Sequence, residues 1–209
     1  QRVEIKTYGG SPDNLKAIKG ETVAYSWKFK LPRNFKVSKN FTHLHQIKSV
    51  GGLYASTPMV TLTARKATPD RMELRYTATN MQSTLKTASL DLFRGKWVKV
   101  TEVVKYDNLG SYYIKISRVS DGLVLFNYNI SAIDMWQDGS TFTRPKWGIY
   151  RSIKSLSDLR DEKVRFSDFS IQELTPLRVL DYRAKSKNNK LKVNNSKGVV
   201  SLKNIPKNS

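Results

Sequence analysis

The chain reads YYIKISRVSDGLVLFNY from Tyr112 to Tyr128, and this stretch decides the fold class. Apolar and polar residues alternate on both sides of Asp121-Gly122, with the two-residue period of a half-buried β-strand. Asp-Gly between two alternating runs is a signal for a tight hairpin. The stretch therefore predicts two antiparallel strands, Tyr112–Val119 and Leu123–Tyr128, joined by a short turn.

The same pattern of short alternating runs separated by turn-forming residues continues on both sides of this hairpin. Helical periodicity is scarce, so the sequence predicts an all-β fold in which two antiparallel sheets pack as a jelly-roll sandwich. The ten predicted strands are Val3–Tyr8, Thr22–Leu31, Phe41–Lys48, Met59–Arg65, Arg71–Thr77, Lys96–Tyr106, Tyr112–Val119, Leu123–Tyr128, Pro145–Ser152 and Val164–Glu173.

Charge is the strongest compositional signal. The 209 residues include 37 Lys and Arg against 17 Asp and Glu, a net charge of +20. Such a field favours a polyanionic partner, namely an acidic polysaccharide, a nucleic acid or an anionic membrane surface. Cysteine is absent, which excludes disulfides and thiolate metal sites. No apolar run approaches the roughly 20 residues of a membrane-spanning helix.

The composition changes near Pro176. Residues 177–209 contain nine Lys or Arg and one Asp, with many Asn and Ser. We therefore predict a β-jelly-roll domain at residues 1–175 and a basic polar tail or linker at 176–209. The tail is either a solvated segment or an electrostatic tether to a polyanion. Residues 1–176 still have a net charge of +12, so the domain itself is basic.

Three segments carry candidate site residues. In Arg2–Lys6, alternation places Arg2, Glu4 and Lys6 on one face. In Lys146–Tyr150, the lysine, Gly148 and the tyrosine share a face, and the glycine gap is interpreted as space for a sugar ring. Either segment alone could be an ordinary strand with a solvated polar face.

The chain has only two histidines, His43 and His45, and strict alternation would put both on one face of a strand. Such a pair could bind a metal with a third ligand, act as a general base with a companion, or line a polar groove passively. Tyr150, surrounded by cations, is a candidate proton carrier if they lower its pKa.

Together these segments resemble the conserved stretches of jelly-roll polysaccharide lyases of the alginate lyase and heparin lyase I type, which have a concanavalin A-like sandwich. RVEIK at Arg2–Lys6 is similar to the Arg-x-Glu-Leu-Arg strand of alginate lyases. HLH at His43–His45 is similar to their Gln-Ile-His strand, with histidine in place of glutamine. KWGIY at Lys146–Tyr150 is similar to their Tyr-Phe-Lys-Ala-Gly-x-Tyr strand.

The resemblance implies β-elimination from an acidic, uronate-containing polysaccharide. In that mechanism Arg2 and His43 would hold the C5 carboxylate, His45 would remove the C5 proton and Tyr150 would protonate the leaving O4. If proton and leaving group lie on the same face of the sugar, Tyr150 could do both. The expected catalytic residues are therefore His45, Tyr150 and Arg2.

The expected substrate-binding residues are His43, Lys146, Glu4 and Lys6, with the lysine at 146 holding a carboxylate or sulfate. The reaction requires no cofactor and no catalytic metal. A structural calcium would have Asp168 as its candidate ligand, against the alternative of an ordinary exposed aspartate.

We expect a secreted or periplasmic monomer. Two alternatives stay open. The first is a non-catalytic carbohydrate-binding module on the same sandwich. The second is a nucleic-acid binder, which the charge suggests but no nucleic-acid-binding motif in the sequence supports.

Overall fold

The computed structural model describes residues 1–174. Within that range it has eleven β-strands and three single-turn 3-10 helices, at Asp13–Leu15, Leu90–Leu92 and Leu156–Asp158. The strands are β1 (Arg2–Lys6), β2 (Thr22–Lys30), β3 (Thr42–Val50), β4 (Val60–Arg65), β5 (Arg71–Thr77), β6 (Gln82–Ser89), β7 (Trp97–Lys105), β8 (Gly110–Arg118), β9 (Val124–Ile133), β10 (Phe142–Arg151) and β11 (Arg165–Glu173).

The strands form two antiparallel sheets. One has six strands in the order β1-β10-β3-β4-β5-β6, and the other has five in the order β11-β2-β7-β8-β9. Some strands that are neighbours in a sheet are far apart along the chain. In the six-stranded sheet, β10 lies between β1 and β3. This is the two-sheet jelly-roll sandwich that the alternating pattern predicts, so the predicted fold class is confirmed.

The core lies between the two sheets and is built by alternation. In β2, Tyr25, Trp27 and Phe29 point inward and are almost completely buried, while the residues between them are half-exposed. Each fully buried aromatic or aliphatic side chain of this kind stabilises the fold by about 1.5–3 kcal/mol. The six-stranded sheet contributes the facing layer, including Leu44, Leu62 and Leu74.

The hairpin at Asp121-Gly122 forms as predicted. β8 pairs with β9, and Gly122 has a φ of 73°, a conformation that glycine adopts without steric cost. All ten predicted strands are present, with ends that differ by a few residues. β6 was not predicted because it is a mostly exposed strand of polar residues at the edge of its sheet, without an apolar face to detect.

Across residues 1–174, the helices are all too short to cross a bilayer. The predicted tail at 176–209 lies outside the described residues.

Candidate active site

Three of the predicted site residues meet on the outward, polar face of the six-stranded sheet. Strand register places Arg2 opposite Tyr150, and Tyr150 opposite His43. The guanidinium carbon of Arg2 lies 5.4 Å from the centre of the tyrosine ring, and the imidazole centre of His43 lies 5.8 Å from it. Phe41 stacks on His43 at 4.5 Å. We call Arg2, Phe41, His43 and Tyr150 the Tyr150 cluster.

The prediction that His43 and His45 share a face is wrong. The pairing of β3 with β4 slips between them: His43 lies opposite Thr63, whereas His45 lies opposite Leu62. The extra residue is Leu44, and a bulge of this kind breaks the alternation of a strand. As a result His43 points to the polar face and His45 points into the core.

His45 is enclosed between the sheets, and its side chain has no exposed surface. Its ring packs against Trp27 at 5.0 Å and Trp147 at 5.5 Å. Nδ1 lies 3.0 Å from the backbone oxygen of Lys146. Nε2 lies 2.9 Å from Oε2 of the equally buried Glu102, at ion-pair distance but off the axis of a hydrogen bond. A side chain in this position cannot reach a polymer outside the sandwich.

Glu102 has a second partner that fixes its orientation. The hydroxyl of Tyr112 donates a 2.5 Å hydrogen bond to Glu102 Oε1. Burial, with the neighbouring glutamate, raises the pKa of Tyr112 well above its ordinary value of 10.0, so the hydroxyl stays protonated and donates. His45 therefore belongs to a polar network that joins the two sheets behind the Tyr150 cluster.

The electrostatic setting of His43 is that of a neutral base. Burial, together with the positive charges of Arg65, Arg75 and Lys146, lowers the pKa of His43 from 6.5 to about 3. The imidazole is thus unprotonated at neutral pH. Its Nδ1 is buried without a hydrogen-bond partner in the described chain, which leaves Nε2 as the nitrogen available to a substrate.

Glu4 and Lys146 face the polar side but are bound to each other. Lys146 Nζ donates to Glu4 Oε2 over 3.1 Å, and the two side chains are only 5% and 6% exposed. Gln46 also donates to this carboxylate, and Arg2 lies 3.7 Å from it. The predicted contacts of Glu4 and Lys146 with substrate stay predictions. In the structure the pair lies beside Arg2, with Glu4 at ion-pair distance from the arginine.

Lys6 follows Glu4 on the same face of β1 and lies opposite Lys146 in the register. It is exposed, at the end of the edge strand. Further along the polar face, burial and the charges of Lys146 and Arg144 lower the pKa of Lys48 to about 8. The whole strip from β1 to β3 is therefore rich in cations.

Gly148 does not leave a gap for a sugar, so that interpretation is wrong. Its φ is 149°, and a Cβ built at this position would lie 2.1 Å from the backbone oxygen of Val3. The space is occupied by β1. Glycine is needed here because the two backbones approach each other too closely for any side chain.

A second charged group on the polar face was not predicted. Glu73 of β5 lies between Arg65 and Arg75, with Oε2 at 3.2 Å from the first and 3.4 Å from the second. The signal for it was present, because β5 carries charged residues at every second position from Arg71 to Arg75. We call Arg65, Glu73 and Arg75 the arginine–glutamate cluster.

The proposed calcium ligand Asp168 lies at a bulge of β11 and has a positive φ of 56°. Its carboxylate forms a 2.5 Å ion pair with Lys28. Among residues 1–174 there is no group of three or more His, Asp or Glu side chains arranged to hold a metal ion.

A cavity of about 620 Å³ lies on the other side of β1 and β10 from the Tyr150 cluster. Its walls are largely apolar and include Val3, Ile5, Trp147 and Phe166. Neither His43 nor Tyr150 lines it, so we do not assign the candidate site to it.

Solved structures share this fold. An endo-β-1,4-glucuronan lyase from the fungus Trichoderma reesei superposes with a TM-score of 0.54 at 16% identity, over 80% of this chain and 72% of that one. A family 7 alginate lyase, A1-II′, in complex with product gives 0.55 at 12% identity, over 82% and 71%. Another alginate lyase gives 0.52 at 11% identity, over 74% and 70%.

No protein-family model matches the sequence, and no curated protein matches it either. At identities this low, the structural likeness shows the fold alone. The fold is that of jelly-roll polysaccharide lyases, as the three sequence motifs indicated.

Proposed function

We propose that the protein is a polysaccharide lyase that cleaves an acidic, uronate-containing polymer by β-elimination at the Tyr150 cluster. The observation that supports this most strongly is the grouping of a neutral imidazole, a phenol and a guanidinium on one outward, polar face of the sheet. These are the three functions that the reaction needs: a base, an acid and a cation for the carboxylate. The fold shared with glucuronan and alginate lyases supports the same class of reaction.

In this proposal His43 replaces His45 as the base. The C5–H bond of the uronate breaks and its proton goes to Nε2 of His43, while the electron pair forms the C4=C5 double bond. A base must be unprotonated before it can act, and the pKa of about 3 satisfies that condition. The price is a weaker proton acceptor, which Arg2 offsets by making the C5 proton more acidic.

Tyr150 acts as the acid. As the C4–O4 bond breaks, the phenol donates its proton to O4 and becomes a phenolate. After the product leaves, His43 releases its proton to solvent and the phenolate takes up a proton from solvent, which restores both groups. The two rings are neighbours on adjacent strands, so one sugar can contact both. Proton and leaving group are then handled by two different side chains.

Arg2 binds the C5 carboxylate. Its side chain is 58% exposed and sits over the ring of Tyr150, held from below by Glu4. A charge-assisted hydrogen bond from a guanidinium stabilises the negative charge that develops on the carboxylate as the C5 proton leaves. Glu4, Lys146 and Gln46 are positioning residues for this arginine.

The resemblance to the Gln-Ile-His strand of alginate lyases fits best if that motif is matched two residues earlier than His43–His45. His43, not His45, lies opposite Tyr150, so Phe41-Thr42-His43 corresponds to the Gln-Ile-His strand of alginate lyases. Phe41 then stands where the amide usually lies, and it stacks on His43 instead. The proposed substrates are glucuronan, alginate or a sulfated glycosaminoglycan, all of which suit the positive face.

The mechanism uses no cofactor, no metal and no second subunit, and we propose a secreted or periplasmic monomer acting on extracellular polymer.

The test is ultraviolet absorbance of the unsaturated uronate during incubation with glucuronan, alginate, heparin, chondroitin sulfate, hyaluronan and pectate. An increase with one polymer supports the lyase and identifies its substrate. A flat trace with all of them would refute it.

The second candidate is a carbohydrate-binding module without catalysis. The observation in its favour is the ion pair between Glu4 and Lys146, in which two of the predicted substrate-binding residues bind each other. A module would bind one anionic polymer in a salt-sensitive manner and produce no unsaturated product. The same incubation, followed by affinity electrophoresis, separates the two.

A further inference from the structure

We propose that the arginine–glutamate cluster is a second anion site, which binds the carboxylate of another uronate along the same polymer. The inference rests on the proposed function, because it assigns the ligand of a surface next to the proposed site. Its consequence is that the enzyme requires a polymer with at least two uronates in reach, instead of a single acidic sugar.

The cluster has an unbalanced charge. Both guanidinium groups share the one carboxylate of Glu73, which is itself 8% exposed. One positive charge is therefore left over on a face that already repels further cations. The side chains of Arg65 and Arg75 remain 25% and 20% exposed, so an anion outside the protein can reach them.

The protein also holds the two guanidinium groups in fixed orientations. Arg75 donates through Nε to Gln82 and through Nη1 to Thr84, each over 2.7 Å. Arg65 donates through Nη1 to the backbone oxygen of Lys39 over 3.2 Å. In the part of the chain that the structure describes, the Nη2 groups of both arginines have no such acceptor. Each arginine therefore keeps one Nη2 group, held in place by the bonds of the other nitrogens, that can donate to a carboxylate.

The location fits a polymer that crosses the strands. Glu73 lies opposite Thr63, which lies opposite His43, so the cluster is two strands away from the proposed base on the same face. Two strand spacings are about 10 Å. Tyr150 lies one strand beyond His43, about 15 Å from the cluster, so a disaccharide bound at Tyr150 falls short of it and a longer oligomer spans both sites.

The two sites are electrostatically coupled. Arg65 and Arg75 are two of the charges that lower the pKa of His43. An anion bound between them would cancel part of that effect and make His43 a stronger proton acceptor. Occupation of the second site therefore favours the step at the first, which would give long substrates a higher turnover as well as a higher affinity.

The experiment measures binding in a Tyr150→Phe background, where the polymer is not consumed. Titration calorimetry compares a glucuronate disaccharide with a hexasaccharide, with and without Arg75→Gln. We expect the substitution to weaken the hexasaccharide by about tenfold and to leave the disaccharide unchanged. Equal weakening of both lengths, or no weakening of either, would overturn the second site.

Two controls keep the result interpretable. Arg118→Gln removes an arginine that pairs with Asp121 on the other sheet, and should change neither affinity. A carboxyl-reduced hexasaccharide lacks the charge and should bind equally with and without Arg75→Gln. A loss with this neutral sugar would mean that the arginine only supports the fold. If Arg75→Gln fails to fold, Arg75→Lys replaces it, because lysine keeps the positive charge but lacks the paired N–H donors of the guanidinium. We expect the affinity of Arg75→Lys for the hexasaccharide to lie between those of wild type and Arg75→Gln. An affinity equal to that of wild type would contradict the proposal.

The outcome is separable from that of the lyase itself. If wild-type protein forms no unsaturated product but binding still depends on oligomer length and on Arg75, the second anion site is supported and the lyase activity is refuted. If product forms but Arg75→Gln has no effect on long oligomers, the lyase stands and the second site falls.

Discussion

The two histidines of β3 are two residues apart in sequence but have opposite surroundings. His43 lies on the polar face beside Tyr150, and its pKa is lowered by burial and by the charges of Arg65, Arg75 and Lys146. His45 lies in the core between two tryptophans and against Glu102. The difference arises from one bulge residue, Leu44, which turns the second imidazole inward. Because of this bulge, His43 is placed where it can take part in the proposed chemistry, whereas His45 is placed where it connects the two sheets.

The largest effect expected on the polar face is that of Tyr150→Phe. Loss of the hydroxyl removes the proposed acid, and turnover should fall by more than about a thousandfold. The phenyl ring keeps the contacts with Phe41, His43 and Arg2, so the affinity for polymer should change by less than about threefold. Steady-state product formation gives the first quantity and titration calorimetry gives the second. Parallel losses in both would assign the tyrosine to binding only.

In the core, His45→Ala should act on stability. It removes the side chain that faces Oε2 of the buried Glu102 and leaves only Tyr112 in contact with that carboxylate, and breaking a buried pair from one side costs about 3–5 kcal/mol. Urea unfolding measures the change. The double variant His45→Leu/Glu102→Leu removes both polar groups and should recover part of the loss. A single variant as stable as wild type would show that the pair contributes nothing to the fold.

A smaller effect follows from pH. His43 has a pKa of about 3 in the folded protein, against 6.5 as its ordinary value, so the unfolded chain binds a proton that the folded chain does not. This stability is fully present above pH 6.5 and is lost as the pH falls toward 3. At about pH 5 the loss should be about 2 kcal/mol.

The control for this effect is His43→Gln, which has no titrating group at that position. Urea unfolding at about pH 7.5 and about pH 5 should show a larger loss for wild type than for the variant. The same loss in both proteins would contradict the lowered pKa of His43.

Much of this fold can be predicted from sequence because alternation is a local property. β2 and β8 show their buried faces directly, and Asp121-Gly122 shows the hairpin. β6 has no buried face and is invisible to the same reasoning. Arg2, His43 and Tyr150 are predictable from residue type and spacing, although β10 pairs irregularly with β3 between Trp147 and Tyr150. Phe41 is not predicted, because its apolar side chain gives no chemical signal.

What the sequence does not reveal depends on contacts between distant segments. The bulge of β3 is seen in its pairing with β4, and the pairing with β10 is irregular at the same place, so the direction of His45 cannot be read from the strand alone. The partner of His45, Glu102, lies on the other sheet, and the atom that forbids a side chain at Gly148 belongs to β1. Both errors of interpretation came from treating single strands as if they were isolated.

The most direct test of this account is a side-by-side measurement of turnover for His43→Gln and His45→Gln on the polymer that wild type cleaves, normalised to folded protein. We predict a loss of about a hundredfold or more for His43→Gln, because the base is removed. For His45→Gln we predict turnover within a few-fold of wild type, with lower stability. The reverse result, with His45→Gln inactive and His43→Gln active, would contradict the assignment of the acid–base pair to the polar face.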